Sequence, residues 1–462
     1  MSSVPTSPNA LRRAAVRAEA RALLTLALPL IAGQLSSVGL NLIDVVLAGR
    51  LGAHVLAAVA VGSSVWTIGM TLINGVLMAL PASVSQLDGA CRREATWPLF
   101  LQAVWLATAL GVGVCILLRL AGPPLIVLMD VVPGIADNAV RFVRTVSFAA
   151  IPFALFCACR GFSEGLSMTR PTAVLSLSGL VLLGPSAYVL MYGRLGLPAL
   201  GAQGSAVALC LVMSVQALCY LLYLCRHRRY AQTGRGTGWR APQRAALQGL
   251  LRVGVPMAVT LLMEAGLFIA ISLAVGSLGE TEMAAHQIAL SVATTAFMVP
   301  LGLSMAITVR VGHAVGRGDS AGVRRAGFTG IGLALCFQLV SGSLMLCLPA
   351  AIVALYTNEP AVGLAAAGLL RLAGLFQLSD GVQVASNGAL RGLKDTRVPM
   401  FITLFAYWIV GMPLGWHLAF ARGMGAAGLW IGLIGGLSGA ALVLGLRFGR
   451  LAAARPRTAQ SV

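Results

Sequence analysis

Three carboxylates stand where a carboxylate is costly: Glu264 at the midpoint of the apolar run Val253 to Val275, Asp44 in LALPLIAGQLSSVGLNLIDVVLAG, and Asp380 in LAGLFQLSDGVQVASNGAL. Each run is long enough to cross or nearly cross a bilayer. A charged group at membrane depth costs roughly 2.5–3.5 kcal/mol on insertion scales, so each acid calls for a partner or a use. The other eleven of the fourteen Asp and Glu fall in or beside predicted loops.

Neutral polar residues recur around the three acids at helical spacing. Thr260 precedes Glu264 by one turn; Gln377, Asp380, Gln383 and Asn387 share a face of the tenth predicted span; Gln287, Ser291 and Thr294 share a face of the eighth. The first span carries Gln34, Ser37, Asn41 and Asp44 in the same manner, and the second carries Thr67, Thr71 and Asn74. This pattern predicts a polar chamber inside the carboxyl-terminal half. A carboxyl group removed from water favours its neutral form and a second one nearby adds to that, so such a pair can exchange protons near neutral pH. The same oxygens can hold a sodium ion at Glu264 and Asp380, or an organic cation. Two acids hydrogen-bonded within a bundle, with no exchange at all, would give the same spacing.

The chain that must position these groups has 462 residues, 58% of them hydrophobic and only 10% charged, with 54 glycines. Soluble domains carry charge on about a quarter of their residues, so this composition excludes an ordinary soluble protein. Twelve apolar stretches of membrane-spanning length are separated by short polar breaks. No cleavable signal peptide precedes them, because the first apolar run is too long and no small-residue cleavage site follows it. The net charge of +19 is a matter of topology: 26 of the 33 basic residues fall on the side of the amino terminus, the even-numbered turns and the tail. The opposite side holds Arg50, Arg119, Arg141, Arg144, Arg194, Arg371 and Arg422. The positive-inside rule then puts both termini and the Arg-rich central loop in the cytoplasm. With the charge so explained and no aromatic residues along a basic face, nucleic-acid binding is excluded. The nine cysteines show neither disulfide nor zinc spacing.

An internal repeat appears at a shift of 227 residues: Pro29 falls on Pro256, Gly39-Leu40 on Gly266-Leu267, Leu51-Gly52 on Leu278-Gly279, and Met78-Ala79 on Met305-Ala306. Farther on, Gly201-Ala202 resembles Gly425-Ala426. The acids break the symmetry, since Glu264 falls on Ser37 and Asp44 on Ile271. The expected fold is an all-α polytopic membrane protein with twelve transmembrane helices in two six-helix lobes. An even number of crossings per half relates the lobes by a pseudo-two-fold axis along the membrane normal. The expected divisions are a cytoplasmic segment at 1–21, an amino-terminal lobe at 22–225, a cytoplasmic linker at 226–246, a carboxyl-terminal lobe at 247–448 and a tail at 449–462. The first residues, MSSVPTSPN, read as disordered, and LRRAAVRAEAR as a short basic helix at the cytoplasmic surface. Pro29 and Pro256 each remove a backbone hydrogen bond from a span and are hinge candidates.

Several long motifs carry a family resemblance: LALPLI with DVVLAGRLG, LPASVSQLDGA, SLGETEMAAHQIALSVATTAFMVPLGLSMAITVRVGHAVGRGD, and SDGVQVASNGALRGLKDTRVP. In these, and over nearly its whole length, the chain resembles the multidrug and toxic compound extrusion transporters in their NorM-like branch. The resemblance implies two lobes around a central cleft and export of hydrophobic, often cationic, compounds in exchange for sodium ions or protons. It implies Glu264 and Asp380 as the cation-coupling acids of the carboxyl-terminal lobe and Asp44 as the acid of the amino-terminal one. No cofactor is implied beyond the coupling ion. Two departures stand out. Phe376 occupies a position where many relatives carry tyrosine, which argues for protons over sodium, and Leu183 and Ala187 flank Pro185 where relatives often have asparagine.

The expected partners are small organic cations and the lipid bilayer, with the chain a monomer in a bacterial inner membrane. An aliphatic cavity with acids and no buried base fits that cargo. A flippase of lipid-linked saccharides, or an exporter of an endogenous metabolite, is the nearest rival, but a pyrophosphate cargo calls for buried Arg or Lys. An intramembrane enzyme using Asp44 and Asp380 as an aspartyl pair would need a GxGD-type sequence, which neither acid has.

Overall fold

A computed structural model of the chain describes residues 8–128, 132–238 and 240–454. The polar start at 1–7 and the end of the tail at 455–462 lie outside the described residues.

Among the described residues, twelve helices are long and apolar enough to cross a membrane. Those of the first half are α1 (Arg13–Leu51), α2 (Ala53–Gly89), α3 (Arg93–Leu128), α4 (Gly134–Gly165), α5 (Arg170–Tyr192) and α6 (Ala202–Arg226). Those of the second are α7 (Arg244–Gly276), α8 (Glu280–Gly316), α9 (Ser320–Cys347), α10 (Pro360–Gly392), α11 (Arg397–Ala421) and α12 (Gly425–Ala453). The basic stretch expected as a separate surface helix is instead the start of α1. Pro8–Leu51 is one helix of 44 residues, about 66 Å at 1.5 Å per residue. Arg and Ala are both strong helix formers, so nothing in LRRAAVRAEAR interrupts the span that follows.

The repeat is visible in backbone geometry. Gly52 and Gly279, one repeat apart, open α2 and α8 with nearly the same conformation, φ 123° with ψ 161° and φ 124° with ψ 169°. Only glycine enters that region without strain, which explains its presence at both turns.

The described residues form two compact units that do not part at the Arg-rich segment. One unit comprises the described residues up to Ile31 and those from Thr260 on; the other comprises Ala32–Val259. Both boundaries fall shortly after Pro29 and Pro256, so the starts of α1 and α7 each pack within the unit of the other half. Small residues make this packing possible. In the second unit a Cβ on Gly75 would collide with the backbone of Ala258, and one on Gly254 with the backbone of Val76. In the first unit a Cβ on Gly302 would lie 2.9 Å from the backbone nitrogen of Ile31 and 3.0 Å from its Cα. Gly302 and Ile31 are the repeat equivalents of Gly75 and Ala258. A two-pronged ion pair further fixes α1 to α8, with Arg310 Nε and Nη2 each 2.7 Å from a carboxylate oxygen of Glu19.

The segment between α6 and α7 is docked rather than free. Tyr230 is fully buried, and its hydroxyl lies 2.9 Å from that of Ser163; burial pushes this phenol up to about 12. Gln102 holds the segment's end from α3, donating to the Ala241 carbonyl at 3.0 Å and accepting from the Gln243 amide at 2.6 Å.

α11 is irregular, with π-helical stretches at Phe405–Gly411 and His417–Ala421. It packs against α12 through glycine: a Cβ on Gly436 would lie 3.0 Å from the Cα of Gly411, and one on Gly432 would meet the Gly411 carbonyl at 2.6 Å.

Forcing a side chain into such a backbone contact costs about 1–3 kcal/mol or more. Gly302→Val and Gly75→Val are therefore expected to lower the melting temperature of the purified protein in detergent, whereas Gly113→Ala, with nothing within 4 Å of its Cβ, is expected to leave it unchanged.

Candidate functional site

The carboxyl-terminal unit brings Glu264 and Asp380 together. Asp380 is buried, at 3% exposure, on α10; Glu264 on α7 is half-buried. Their carboxylates are close enough to act on one another electrostatically. Among the described residues, neither has an ion-pair or hydrogen-bond partner. Tyr407 of α11, buried at 2% exposure, lies within electrostatic reach of both acids and was not singled out by the sequence pattern. The tether is its neighbour Trp408, whose indole N–H donates to the carbonyl of Met263 at 3.2 Å, one residue before Glu264.

The neutral polar residues expected around the acids divide in two. Gln377 is fully buried and fully used, donating to the Ala293 carbonyl of α8 at 3.1 Å and accepting from Gln338 of α9 at 2.6 Å. Ser341 in turn donates to Gln338 at 2.9 Å. This chain of amides ties α8, α9 and α10 together, so Gln377 is a structural residue that fixes the turn carrying Asp380. Gln383, one turn past Asp380, is buried with its carbonyl oxygen unpartnered. Asn387 and Thr260 are half-buried, while Gln287 and Thr294 are exposed.

Phe376 belongs to an aromatic wall. Its ring meets Phe268 and Trp430 edge-on, at centroid distances of 6.2 and 5.9 Å. Trp430 donates its N–H to Nδ1 of the buried His286 at 3.2 Å, so His286 carries its proton on Nε2, 3.1 Å from the Ser272 hydroxyl. The histidine is thus committed to holding the wall.

In the amino-terminal unit Asp44 is buried and accepts a 2.7 Å hydrogen bond from Ser205 of α6. Gln34 is half-buried and Asn41 exposed. Leu183 and Ala187, both fully buried, put apolar packing beside Pro185. Asn74 is engaged by a base that the sequence reading excluded. Arg160 of α4 donates to its side-chain oxygen at 3.0 Å, and Arg160 Nε lies 3.5 Å from Glu164, one turn on. Glu164 is 3% exposed in the last turn of α4, beside the turn that follows, and the Arg160 side chain facing it is 16% exposed, so the bundle holds a largely covered base that the sequence reading did not expect. The pair is tolerated because each charge neutralises the other within one helix turn. Its signal was present in CACRGFSEG as opposite charges four apart, but a count of bases by side assigns every arginine to a loop.

The MatE family model matches residues 29–189 and 256–417, the two repeats. A probable multidrug resistance protein NorM of Xanthomonas campestris is 47% identical over 447 residues, covering 96% of this chain and 97% of the relative. The multidrug resistance protein PmpM of Pseudomonas aeruginosa is 40% identical over 441 residues, covering 95% and 92%. Among solved structures, the eukaryotic MATE transporter AtDTX14 superposes with a TM-score of 0.86 at 22% identity, covering 96% of this chain and 100% of that one.

Removing one partner of a buried ion pair typically costs about 3–5 kcal/mol, because the other charge is stranded. Arg160→Met is therefore expected to lower the melting temperature sharply, and the double substitution Arg160→Met with Glu164→Gln to recover most of the loss. Equal melting of the single and double variants would show that the pair carries no such coupling.

Proposed function

The chain belongs to the MatE family and is a multidrug efflux transporter, not an enzyme, and we propose that it works as a secondary antiporter exporting hydrophobic organic cations in exchange for protons or sodium ions. The reading is carried by one observation: Glu264 and Asp380 interact with each other inside a helical bundle while no described base or hydrogen-bond donor satisfies them. Such a pair can be neutralised only by something that arrives and leaves. A proton, a sodium ion and the positive centre of a drug compete for the same oxygens, so loading from outside weakens the hold on the drug and favours its outward release.

Asp44 takes a lesser part in this scheme. Its hydrogen bond from Ser205 partly satisfies it, and apolar packing surrounds Pro185, so we assign it a supporting role in cargo binding. Pro29 and Pro256 are the proposed hinges of alternating access. That assignment is supported by the unit boundaries, which fall just beyond each proline. The proposed setting is a bacterial inner membrane with both termini cytoplasmic, in keeping with the one-sided arginine distribution, and a monomer suffices because the acid pair lies within one chain.

Glu264→Gln and Asp380→Asn are each expected to abolish dye efflux from everted vesicles under both sodium and proton gradients, with protein levels and melting temperature retained, because an amide cannot cycle between charged and neutral states. Near-normal resistance to toxic cations in either variant would defeat the coupling assignment. Cargo charge is tested separately: cationic dyes are expected to be exported and anionic dyes of similar size to be poor cargo. The flippase alternative requires the reverse preference, and Arg160 of the amino-terminal unit is already paired with Glu164.

A further inference from the structure

The stretch from Arg226 to Arg252 carries seven arginines and not one Asp or Glu. Topology accounts for that charge but not for its order, since a free loop would satisfy the positive-inside rule equally well. This segment is held. The Tyr230 ring packs on Phe162 and Tyr223, at centroid distances of 6.0 and 5.9 Å. The buried Thr233 closes the turn with a 2.7 Å hydrogen bond to the Tyr230 carbonyl. Gly234, at φ 83°, lies against the turn before α3 so closely that a Cβ there would collide with the Glu94 carbonyl, which leaves only glycine for the position. Arg235 is used by the fold, donating to the Leu224 carbonyl at 3.2 Å. From α3, Trp105 donates to the Arg240 carbonyl at 3.1 Å and Gln102 to that of Ala241 at 3.0 Å.

These anchors are rings, hydroxyls and backbone groups, and they leave the other guanidinium groups outside. Arg226, Arg228, Arg229, Arg240 and Arg244 are exposed, as is Arg92 in the turn that Gly234 touches. Among the described residues none of the six is in an ion pair; of the two acids in that turn, Asp88 pairs with Arg93 at 3.5 Å and Glu94 is exposed. The array stands where three spans end, because α3 begins at Arg93, α6 ends at Arg226 and α7 begins at Arg244. With 25 residues, α6 is about 38 Å long against a hydrocarbon core of about 30 Å, long enough for Arg226 to reach the layer of lipid phosphates. A guanidinium pairs two-pronged with phosphate oxygens. An array that the fold has already ordered binds them without the cost of ordering a loop.

We propose that the docked segment Arg226 to Arg244, with Arg92 beside it, is a binding surface for the phosphate headgroups of anionic phospholipids.

The surface lies in the unit that holds Asp44, and its lipid is a partner distinct from cargo and coupling ion. Screening weakens contacts of this kind, so the affinity falls as salt rises.

The test is equilibrium binding of fluorescent phosphatidylglycerol and phosphatidylcholine to the purified full-length protein in neutral detergent, with melting temperature measured in parallel. The wild-type chain is expected to bind phosphatidylglycerol saturably and about tenfold or more tighter than phosphatidylcholine, with the difference lost at high salt. The triple substitution Arg226→Gln, Arg228→Gln, Arg229→Gln is expected to remove that preference while melting as the wild type does without lipid. Arg317→Gln, Arg324→Gln, Arg325→Gln takes the same charge from exposed positions beside the start of α9 and is expected to retain it. Gln102→Leu keeps every charge but releases the end of the segment, and is expected to weaken phosphatidylglycerol binding about threefold or more. Equal affinity of the wild type for the two lipids, equal losses in the two triple variants, or unchanged affinity in Gln102→Leu would overturn the proposal. So would displacement of the lipid by a single-stranded oligonucleotide at equal phosphate concentration, which marks a surface for polyanions in general.

Discussion

Inside a bilayer there is no water to complete a polar group, so every donor, acceptor and charge in the core must be satisfied by the protein or by something it carries. Most of this chain obeys that constraint with its own atoms. Asp44 is answered by Ser205, Gln377 by two neighbouring helices, and His286 by Ser272 and Trp430, while Glu164 has the charge of Arg160 beside it at 3.5 Å. Threonine and serine hydroxyls along the spans bond back to carbonyls of the preceding turn, as Thr67 does to Ser63 and Thr71 to Thr67. Against that background Glu264 and Asp380, acids with no ion-pair or hydrogen-bond partner among the described residues, stand apart.

The backbone that holds this group is built on close approach. Without a hydrophobic driving force between helices in lipid, association depends on contact area and on small residues that admit it. Gly75 against Ala258 and Gly302 against Ile31 are the same contact made twice, one repeat apart, and each seats the start of a long helix in the unit of the opposite half. Pro29 and Pro256, each two residues before the contact, lie close to where the chain passes from one unit to the other. Duplication therefore preserved the joints while the polar chemistry diverged, which is why Pro29 matches Pro256 but Ser37 faces Glu264 in the alignment of halves.

The fold was largely legible in the sequence because the bilayer writes it in runs of apolar residues and the repeat writes it twice; twelve spans and the paired glycines at 52 and 279 followed from that alone. The site was legible only as far as charge alone reveals it. Glu264 and Asp380 announced themselves as acids in apolar runs. Tyr407 did not, since a phenol in a membrane span is unremarkable in composition and the π-helical stretch breaks the 3.6-residue period by which faces are assigned. Arg160 and Glu164 were hidden for a different reason: a rule that sorts bases between loops has no place for one that is neutralised within its own helix. The exchange of helix starts between units was not legible at all, because it depends on which backbone a glycine meets.

The Phe376 position shows that the meaning of a motif depends on what the neighbouring helices place beside it. A missing hydroxyl on α10 argues against a metal ion only if no other element supplies one. The structure puts Phe376 into a wall with Phe268 and Trp430, while Tyr407 of α11 lies within electrostatic reach of the same two acids. A ligand set is a property of a volume, and helices that meet in space can supply its members interchangeably. A ring on α10 therefore does not by itself decide which cation the two acids take up.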